Sequence, residues 1–404
     1  MREGAASKRP VLLVLSSTYP RWSGDHEPGF VHELARRLTS TFDVIAVVPR
    51  APGAVDREVL DGVAVVRYGY APRRFETLVN DGGIVTNLKR HRWKWLLVAP
   101  FCLGQAWHAF GAIARERPAV IHAHWLLPQG IVAAALRVLS KRTPPFVVTS
   151  HGADLFALRG RLFGALRKWV VERAAALTVV SEAMRSALES TGARAKITVQ
   201  PMGIDLRERF APDPATARSR DELLFVGRLV EKKGLRHLID ALPKIRERHP
   251  GATLTVAGFG PEEAALRARV GELDLGACVT FLGAVPQAQL PELYRRAAVF
   301  VAPFVTAKSG DQEGFGLVLV EALGCGCPVV ASALPATRDV LSGLAGAIAV
   351  EPGNTDALAD AVGTILAGAH AYAERAASDR DSLIARFDWS TVADGYAATL
   401  RSVA

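Results

Sequence analysis

The sequence predicts two doubly wound α/β domains, and three observations lead to that prediction. At 404 residues the chain exceeds what one hydrophobic core usually supports, so two domains of about 200 residues are expected. Short runs rich in β-branched residues alternate with amphipathic stretches, the pattern of a parallel sheet covered by helices. The alternation also starts afresh after Gly203-Ile204-Asp205 and a proline-bearing linker at 211–219.

The first domain, residues 1–205, is predicted from apolar strand patterns with helical stretches between them. Each run is short enough for a buried strand and is followed by residues typical of turns. The strands are placed at 11–16, 43–48, 63–68, 120–124, 146–150, 177–180 and 197–200. The helices are placed at 29–39, 95–115, 130–140, 162–175 and 182–190.

The second domain, residues 206–385, repeats the pattern. Its strands are placed at 222–226, 252–257, 279–282, 299–302, 328–331 and 347–350. Its helices are placed at 235–248, 262–272, 289–297, 315–324 and 355–367. Residues 386–404 form a last helix that we expect to cross back to the first domain. Two Rossmann-like domains in tandem predict a site in a central cleft, at the carboxyl ends of both sheets.

The positive charge is confined to the first domain. Residues 1–205 hold 28 Lys and Arg against 16 Asp and Glu, whereas residues 206–404 hold 21 against 24. A basic domain can contact nucleic acid, an anionic membrane or a phosphorylated substrate, or it can be a solvated surface. The basic segments lack an aromatic stacking platform or a reader motif, so a nucleic-acid partner is not expected.

An uncharged stretch at 95–114 is long enough to span a bilayer. Pro100 and Gly104 within it, and basic clusters at both ends, favour a helix lying on the inner leaflet with tryptophans at headgroup level. Burial inside the domain is the alternative. The apolar run at 11–15 is too short for a signal peptide, and the four cysteines lack metal-ligand spacing. We therefore expect a cytoplasmic protein, peripheral at the membrane's inner face.

The most informative motif is the pair Glu313 and Glu321, eight residues apart around the start of an apolar helix. Gly316 lets a ligand approach the backbone, and the amides at a helix N-terminus suit a phosphate. Ionised carboxylates on either side could accept hydrogen bonds from sugar hydroxyls. The alternative is a capping glutamate followed by a surface glutamate.

A second candidate site follows the first strand of the second domain. There the loop 227–234 carries Arg228 and Lys233, a guanidinium fork and a point charge suited to a diphosphate. Gly258 and Gly260 follow a later strand and are interpreted as a turn beside the nucleobase. A basic surface loop is the alternative for 227–234.

The loop after the first strand, with Gly24 and Gly29, opens into a helix and could also contact a phosphate. It lacks the G-x-G-x-x-G fingerprint that a dinucleotide-binding enzyme carries there, which argues against a dehydrogenase.

Histidines mark two strand ends of the first domain. His122 and His124 share one face of a strand, so a metal pair is conceivable, but no third ligand follows and buried histidines fit better. His151 follows the next strand and could hydrogen-bond a substrate hydroxyl, with Asp154 nearby. A structural histidine and a loop-capping aspartate are the alternative.

Taken together and in this order, these motifs resemble a family 4 glycosyltransferase of the two-domain GT-B type over almost the whole chain. The strongest matches are Gly227-Arg228-Leu229 with Lys233-Gly234, and the Glu313-to-Glu321 segment. Further similarity lies at 120–130, 150–154, 201–205 and 387–389. Met202 departs from the asparagine of many relatives, and Cys325-Gly326-Cys327 is an addition that we interpret as packing.

The resemblance implies a role for each motif. Arg228 and Lys233 would bind the donor diphosphate, and Glu321 the ribose hydroxyls. Glu313 and the amides of Phe315, Gly316, Leu317 and Val318 would hold the donor sugar and the distal phosphate. His151 would contact the donor hexose, the Gly24–Gly29 loop would close on the phosphate, and His124 and Asp154 are assigned to the acceptor.

The expected activity is transfer of a hexose from a UDP- or GDP-sugar to an acceptor hydroxyl, with retention and without an essential metal or other cofactor. The resemblance favours reaction on one face of the sugar, and a covalent carboxylate intermediate is the rival mechanism. The basic first domain favours a lipid-linked or membrane-surface glycan acceptor in cell-envelope polysaccharide or glycolipid synthesis. The alternatives are a soluble acceptor (a sugar phosphate or natural product) and a non-catalytic nucleotide-sugar binder.

Overall fold

The computed structural model describes residues 9–22, 25, 29–79, 83–158, 160–192 and 195–404. The chain divides into two compact units. Unit 1 comprises Met1–Val180, Arg185–Gln200 and Ala393–Ala404, and unit 2 comprises Ser181–Met184 and Pro201–Val392. The passage from one unit to the other therefore falls at residue 201, five residues before the predicted boundary, and the last twelve residues belong to unit 1.

Unit 1 is built on an eight-stranded sheet with the order β3-β4-β2-β1-β5-β6-β7-β8. All its neighbours are parallel except β3 and β4, which pair antiparallel at one edge. Apart from the edge strand β3, the strands are mostly apolar on both faces, as expected for a sheet with helices on both sides. They are β1 Val11–Leu15, β2 Asp43–Pro49, β3 Arg57–Leu60, β4 Val63–Tyr68, β5 Val120–His124, β6 Phe146–Ser150, β7 Ala176–Val179 and β8 Ile197–Val199.

The helices of unit 1 connect these strands. They are α1 Phe30–Leu38, α2 Gly83–Arg90, α3 Val98–Glu116, α4 Ile131–Leu139, α5 Ala153–Phe156, α6 Arg161–Val171 and α7 Glu182–Glu189, whose first residues belong to unit 2. Gln105 fastens α3 to the sheet, because its buried amide donates to the carbonyl oxygens of Ser16 and Val47, each at 3.1 Å.

Unit 2 is built on a six-stranded, fully parallel sheet with the order β11-β10-β9-β12-β13-β14. The central strands are almost wholly buried, as expected for a parallel sheet with two covered faces. The strands are β9 Glu222–Val226, β10 Thr253–Ala257, β11 Val279–Gly283, β12 Val299–Ala302, β13 Val329–Ser332 and β14 Ala347–Val350.

The helices of unit 2 follow the same alternation. They are α8 Leu235–Arg248, α9 Glu263–Glu272, α10 Leu290–Arg296, α11 Leu317–Gly324, α12 Pro335–Leu341, α13 Thr355–Ala367, α14 Ala369–Ser378 and α15 Arg380–Phe387. The last helix, α16 Trp389–Arg401, begins in unit 2 and ends in unit 1. Asp388 caps it by accepting from the N–H and the hydroxyl of Ser390, at 3.0 and 2.6 Å.

The prediction of two Rossmann-like α/β domains is confirmed. The sequence patterns missed β3, α2, α5, α12, α14 and α15, which are short, lie at an edge or lack a clear apolar period. The predicted helix at 95–115 needs a correction, because residues Arg92–Leu97 form a tight 3-10 segment and the α-helix begins only at Val98. All four cysteines are free thiols.

Each sheet has one point where the chain reverses its direction of strand addition. In unit 1 this point lies between β1 and β5, and in unit 2 between β9 and β12. The loops at the carboxyl ends of such neighbouring strands diverge and leave a crevice suited to a ligand. These two places are therefore where functional side chains are expected.

Candidate functional site

The crevice of unit 2 is formed by the loops that follow β9 and β12. The first loop ends at Gly234, whose φ of +68° is left-handed. A Cβ at this position would lie 1.8 Å from the backbone oxygen of Pro303, directly after β12. Only glycine allows the two loops to approach so closely, and the residues between 227 and 234 are thereby held against those that follow β12.

Lys233 and Glu313 form an ion pair between these two loops. Nζ of Lys233 lies 2.7 Å from Oε2 of Glu313, and both side chains are largely buried. The same ammonium lies 4.5 Å from the centre of the Phe304 ring. Burial alone would raise the pKa of Glu313, but the charges of Lys233 and Lys232 outweigh it and lower the pKa to about 2. Glu313 is therefore an anion at any physiological pH.

The helix that follows Glu313 presents its N-terminus to the same place. Gly316 precedes α11 with φ +88° and ψ 53°, a left-handed conformation that ends the loop sharply. The first amides of an α-helix have no acceptor within the helix, so those of Leu317 and Val318 can donate to an anion. The Phe315 N–H already donates to the Glu313 carboxylate.

Glu321 lies about one turn after Leu317, the first residue of α11. Its Oε2 accepts a hydrogen bond of 2.9 Å from the hydroxyl of the fully buried Tyr294. Burial raises the pKa of Glu321 to about 7, although the Tyr294 hydroxyl and the charges of Arg209 and Lys233 oppose that rise. Lys233 thus acts electrostatically on both predicted carboxylates, so the two glutamates and the lysine belong to one site.

Three further predicted donor residues, Arg228, Gly258 and Gly260, lie in the loop after β9 or against it. Arg228 is partly exposed in the loop after β9. Gly258 and Gly260 pack against that loop, since a Cβ on either would lie within 2.5 Å of the Gly227 or Leu229 carbonyl oxygen. Their observed contacts hold the loop in place. A contact with the nucleobase stays a prediction.

In unit 1, His151 and His124 meet at the carboxyl ends of β5 and β6. Their rings are stacked, and Nδ1 of His124 lies 3.0 Å from Nε2 of His151. One of these two nitrogens must donate and the other accept, so a single proton lies between the two rings. Burial, with a smaller contribution from His122, lowers the pKa of His151 to about 3. Burial likewise lowers the pKa of His124. Both rings are neutral at physiological pH.

His122 continues this arrangement into the sheet. Its Nε2 lies 2.7 Å from the Thr149 hydroxyl, which is 2.6 Å from the Thr178 hydroxyl. The His122 and His124 ring centres lie 4.2 Å apart, and the Tyr396 ring lies 5.6 Å from His122. Within the described part of the chain no three His, Cys, Asp or Glu side chains are arranged to hold a metal ion.

An aromatic cluster surrounds the partly exposed ring of His151. The rings of Trp125 and Phe30 lie 4.9 and 5.0 Å from it. Trp125 has φ +76°, a strained conformation for a residue with a side chain, directly after His124. Partly exposed aromatic faces beside a hydrogen-bonding histidine form a surface on which a sugar ring can pack.

Both carboxylate oxygens of Asp154 accept hydrogen bonds within the protein. One carboxylate oxygen accepts from the Leu126 N–H at 2.7 Å, and the other from the Ser150 hydroxyl at 2.9 Å. Burial raises the pKa of Asp154, and these hydrogen bonds partly oppose the rise. The observed contacts brace the ends of β5 and β6, and a direct role in acceptor binding stays a prediction.

The structure brings Lys233, Glu313 and Glu321 together in unit 2, and His124 and His151 together in unit 1. Gly29 precedes α1 and accepts from the Glu33 N–H, while Gly24 lies outside the described residues. Sequence reasoning missed Trp125 and Tyr294. The first could have been found from its position directly after a strand, whereas nothing local distinguishes the second.

The geometry of unit 2 fits an anionic, hydroxyl-bearing ligand. Lysines at 232 and 233 and the helix amides can neutralise phosphate oxygens, and the carboxylates can accept from sugar hydroxyls. Lys232 is itself paired with Asp311 at 3.2 Å. Each lysine therefore has an acidic partner within the protein, Glu313 for Lys233 and Asp311 for Lys232.

Two family models match the chain. The model described as Glycosyltransferase Family 4 matches residues 30–208, and the model described as Glycosyl transferases group 1 matches residues 207–379. Together they cover residues 30–379, which include His124 and His151 of unit 1 and Lys233, Glu313 and Glu321 of unit 2.

Two relatives match nearly the whole chain. Glycogen synthase of Mycobacterium tuberculosis (strain ATCC 25618 / H37Rv) is 32% identical over 402 residues, which cover 95% of this chain and 92% of the relative. The GDP-mannose-dependent alpha-(1-6)-phosphatidylinositol monomannoside mannosyltransferase of Mycolicibacterium smegmatis is 31% identical over 398 residues, covering 94% and 95%.

Solved structures share the fold. Sucrose-phosphate synthase from Thermosynechococcus elongatus matches with a TM-score of 0.78 at 23% identity, covering 98% of this chain and 99% of that one. Anabaena Alr3699/HepE in complex with UDP-glucose matches with a TM-score of 0.72 at 19% identity, covering 98% and 100%.

Proposed function

Because the chain belongs to glycosyltransferase family 4 and is a glycosyltransferase of the GT-B fold, we propose a specific reaction for it. It moves a hexose-type sugar from a UDP- or GDP-linked donor, with retention of the anomeric configuration, to a hydroxyl of a lipid-linked or membrane-surface glycan. The product belongs to cell-envelope polysaccharide or glycolipid synthesis. The enzyme works in the cytoplasm, peripherally at the inner face of the membrane.

The observation that carries the donor half is the ion pair between Lys233 and Glu313 at the start of α11. Without a donor, each charge compensates the other in a largely buried position. A donor diphosphate gives Lys233 a second anionic partner, and Glu313 is then able to accept from hydroxyls of the sugar. The exchange keeps every buried charge paired.

The same groups act on the reaction. Departure of the nucleoside diphosphate places negative charge on its distal phosphate, and Lys233, Arg228 and the α11 amides stabilise that charge. The glycosidic bond to the phosphate breaks and the bond to the acceptor oxygen forms on the same face of the sugar. The departing phosphate oxygen takes the acceptor proton, so no metal and no further base is needed.

Glu321 fits the ribose. One carboxylate oxygen accepts a hydrogen bond from Tyr294, and the ionised carboxylate has lone pairs left to accept from both hydroxyls of a diol. With a pKa of about 7, it is ionised in only part of the molecules at neutral pH, and a diol that donates to it favours the ionised form. Donor binding and ionisation of Glu321 are thereby coupled.

The acceptor proposal is supported by one relative's name and by the charge of this chain. The mannosyltransferase from M. smegmatis is named for a phosphatidylinositol monomannoside, a lipid-linked glycan. Residues 1–205 carry the whole positive excess of the chain, which suits an acceptor at an anionic surface. The relative named glycogen synthase favours a second candidate, transfer to a glycan without a lipid.

The donor proposal is tested by slow hydrolysis of UDP-, GDP- and ADP-sugars without acceptor, in buffer containing EDTA. We expect one UDP- or GDP-sugar to be hydrolysed, and Lys233→Ala and Glu321→Ala each to reduce the rate by ~10²–10³-fold, because each removes one preorganised contact. Lys308→Ala is the matched control, since that lysine lies exposed in the loop after β12.

Two results would contradict the proposal. A wild-type rate of donor hydrolysis in purified Lys233→Ala would show that Lys233 does not bind the diphosphate. Loss of all hydrolysis in EDTA would show that the reaction needs a metal ion. For the acceptor, phosphatidylinositol mannoside vesicles and glycogen are compared with the active donor. Transfer to glycogen alone would favour the second candidate, and the anomeric configuration of the product is read by NMR.

A further inference from the structure

One face of the segment before and along α3 is apolar and open to solvent. Leu96, Leu103 and Trp107 expose 79%, 70% and 77% of their surface, and Phe110 is also exposed. The last three recur at intervals of four and three residues, so they share one side of the helix. We name these four residues the α3 face. Such a contiguous apolar stripe on a monomer marks an interaction site.

The opposite side of α3 is committed to the core of unit 1. Phe101, Gln105 and Ala109 are buried there, and Gln105 donates to carbonyl oxygens of the sheet. Within the described residues, Arg92–Glu116 is the one helical segment long and apolar enough to cross a membrane. A segment bonded to a sheet along one side can offer only its outer side, so the geometry favours contact in the plane of a bilayer.

Aromatic side chains precede the first residue of the α3 face, Leu96, in the sequence and contact two other segments of unit 1. The rings of Trp95 and Phe163 lie 6.3 Å apart, which joins the segment to α6. The rings of Trp93 and Phe75 lie 6.1 Å apart, and both are exposed. Tryptophan is favoured at the boundary between lipid headgroups and acyl chains, because its ring is apolar and its N–H is polar.

The charge around the face is mostly positive, with Glu116 as an exposed acid between Arg115 and Arg117. Residues 83–115 contain five Lys or Arg and no Asp or Glu. Lys89, Arg90 and Arg92 are exposed before the apolar residues, and Arg115 and Arg117 are exposed at the other end of α3. Cations at both ends of an apolar stripe complement an anionic bilayer, which has negative headgroups above an apolar interior.

We propose that the α3 face docks unit 1 on an anionic lipid bilayer, with Leu103, Trp107 and Phe110 in the interface and the flanking cations at the phosphates. Such docking would bring a lipid-linked acceptor to the enzyme, and this role rests on the proposed function. The physical binding is measurable without any acceptor.

The test is flotation of the full-length protein with vesicles of phosphatidylcholine alone and of phosphatidylcholine mixed with phosphatidylglycerol. We expect wild type to float with the anionic vesicles and to be released by high salt. Leu103→Ser combined with Trp107→Ser should lower the partition coefficient at least about tenfold, because two inserted side chains are lost. Lys89→Gln combined with Arg90→Gln should lower it by ~10-fold or more.

The matched control is Val59→Ser, because Val59 is 73% exposed in unit 1 but lies on the edge strand β3, away from the α3 segment in sequence. It should float like wild type. All variants change exposed side chains, and their folding is verified by thermal unfolding and by the rate of donor hydrolysis, which should stay unchanged.

Three outcomes would overturn the docking. Wild type that stays out of anionic vesicles contradicts it directly, as does equal flotation of the Leu103/Trp107 variant. A dimer in sedimentation that this variant dissociates would assign the face to a second copy of the chain. Failure of the proposed function looks different, since donor hydrolysis would be absent while flotation persists.

Discussion

Glu321→Gln is predicted to make unit 2 more stable and a poorer donor binder, and the stability gain should grow with pH. Burial raises the pKa of Glu321 to about 7, whereas the unfolded chain releases this proton near pH 4.5. Between those values the folded state holds a proton that the unfolded state has lost. The free energy of unfolding therefore falls as pH rises through this window.

The magnitude follows from the two pKa values. A rise from 4.5 to about 7 corresponds to roughly 3 kcal/mol of lost stability once the pH exceeds both values. About 2–3 kcal/mol of this loss falls between about pH 5 and pH 8. Glutamine has nearly the same shape and can still accept from Tyr294, but it does not titrate. The difference in free energy of unfolding, variant minus wild type, should rise by that amount over the same range.

The assay must isolate unit 2, because burial lowers the pKa of His122 and of His151 in unit 1, so these histidines also make the free energy of unfolding depend on pH. Urea unfolding read by hydrogen exchange on peptides from β9, β12 and α11 reports unit 2 alone. Tyr294→Phe provides a second check, since it removes a hydrogen bond that holds the Glu321 pKa down. In that variant the stability loss should extend to higher pH.

A difference between Glu321→Gln and wild type that does not change with pH would refute the reasoning. It would mean that Glu321 is solvated in the folded protein. Isothermal titration with the active nucleotide sugar provides the functional half, in which the glutamine variant should bind more weakly because the neutral amide is a poorer acceptor for a diol.

Two further predictions concern the loops and the acceptor side. Gly234→Ala should destabilise unit 2 by ~3 kcal/mol or more, because a left-handed residue gains a Cβ that meets a backbone oxygen. Gly276→Ala, where a Cβ meets nothing within 4 Å, should stay within ~0.5 kcal/mol in the same urea assay. Equal losses would contradict the close approach of the loops. Trp125→Ala should raise the acceptor KM by ~3–10-fold with unchanged donor hydrolysis, because one aromatic packing partner is lost. Trp125→Phe should recover part of it, and an unchanged acceptor KM in Trp125→Ala would remove the aromatic cluster from the acceptor site.

The local sequence pattern determined the fold class and which of the two sheets each predicted strand belongs to. Short apolar runs that alternate with amphipathic helical stretches admit few arrangements other than a doubly wound parallel sheet, and both sheets have that arrangement. The spacing from Glu313 to Glu321 and the loop with Lys233 were likewise visible in the sequence. The resemblance to a glycosyltransferase family rested on the order of these motifs along the chain.

Tertiary structure alone decided the electrostatics of the site. Lys233 and Glu313 are 80 residues apart, and they meet because β9 and β12 are neighbours at the reversal point of the sheet. The same packing buries one glutamate beside a lysine and the other beside Tyr294, so their pKa values shift in opposite directions. Spacing along the chain carries no information about such partners.

The uncharged segment at 95–114 shows the same division. Its composition allowed a span, a surface helix or a core helix, because all three are apolar. Packing against the sheet then buried Phe101 and exposed Trp107, residues of similar character six positions apart. Which side of a helix meets water depends on what the sheet covers, and only the folded chain specifies that.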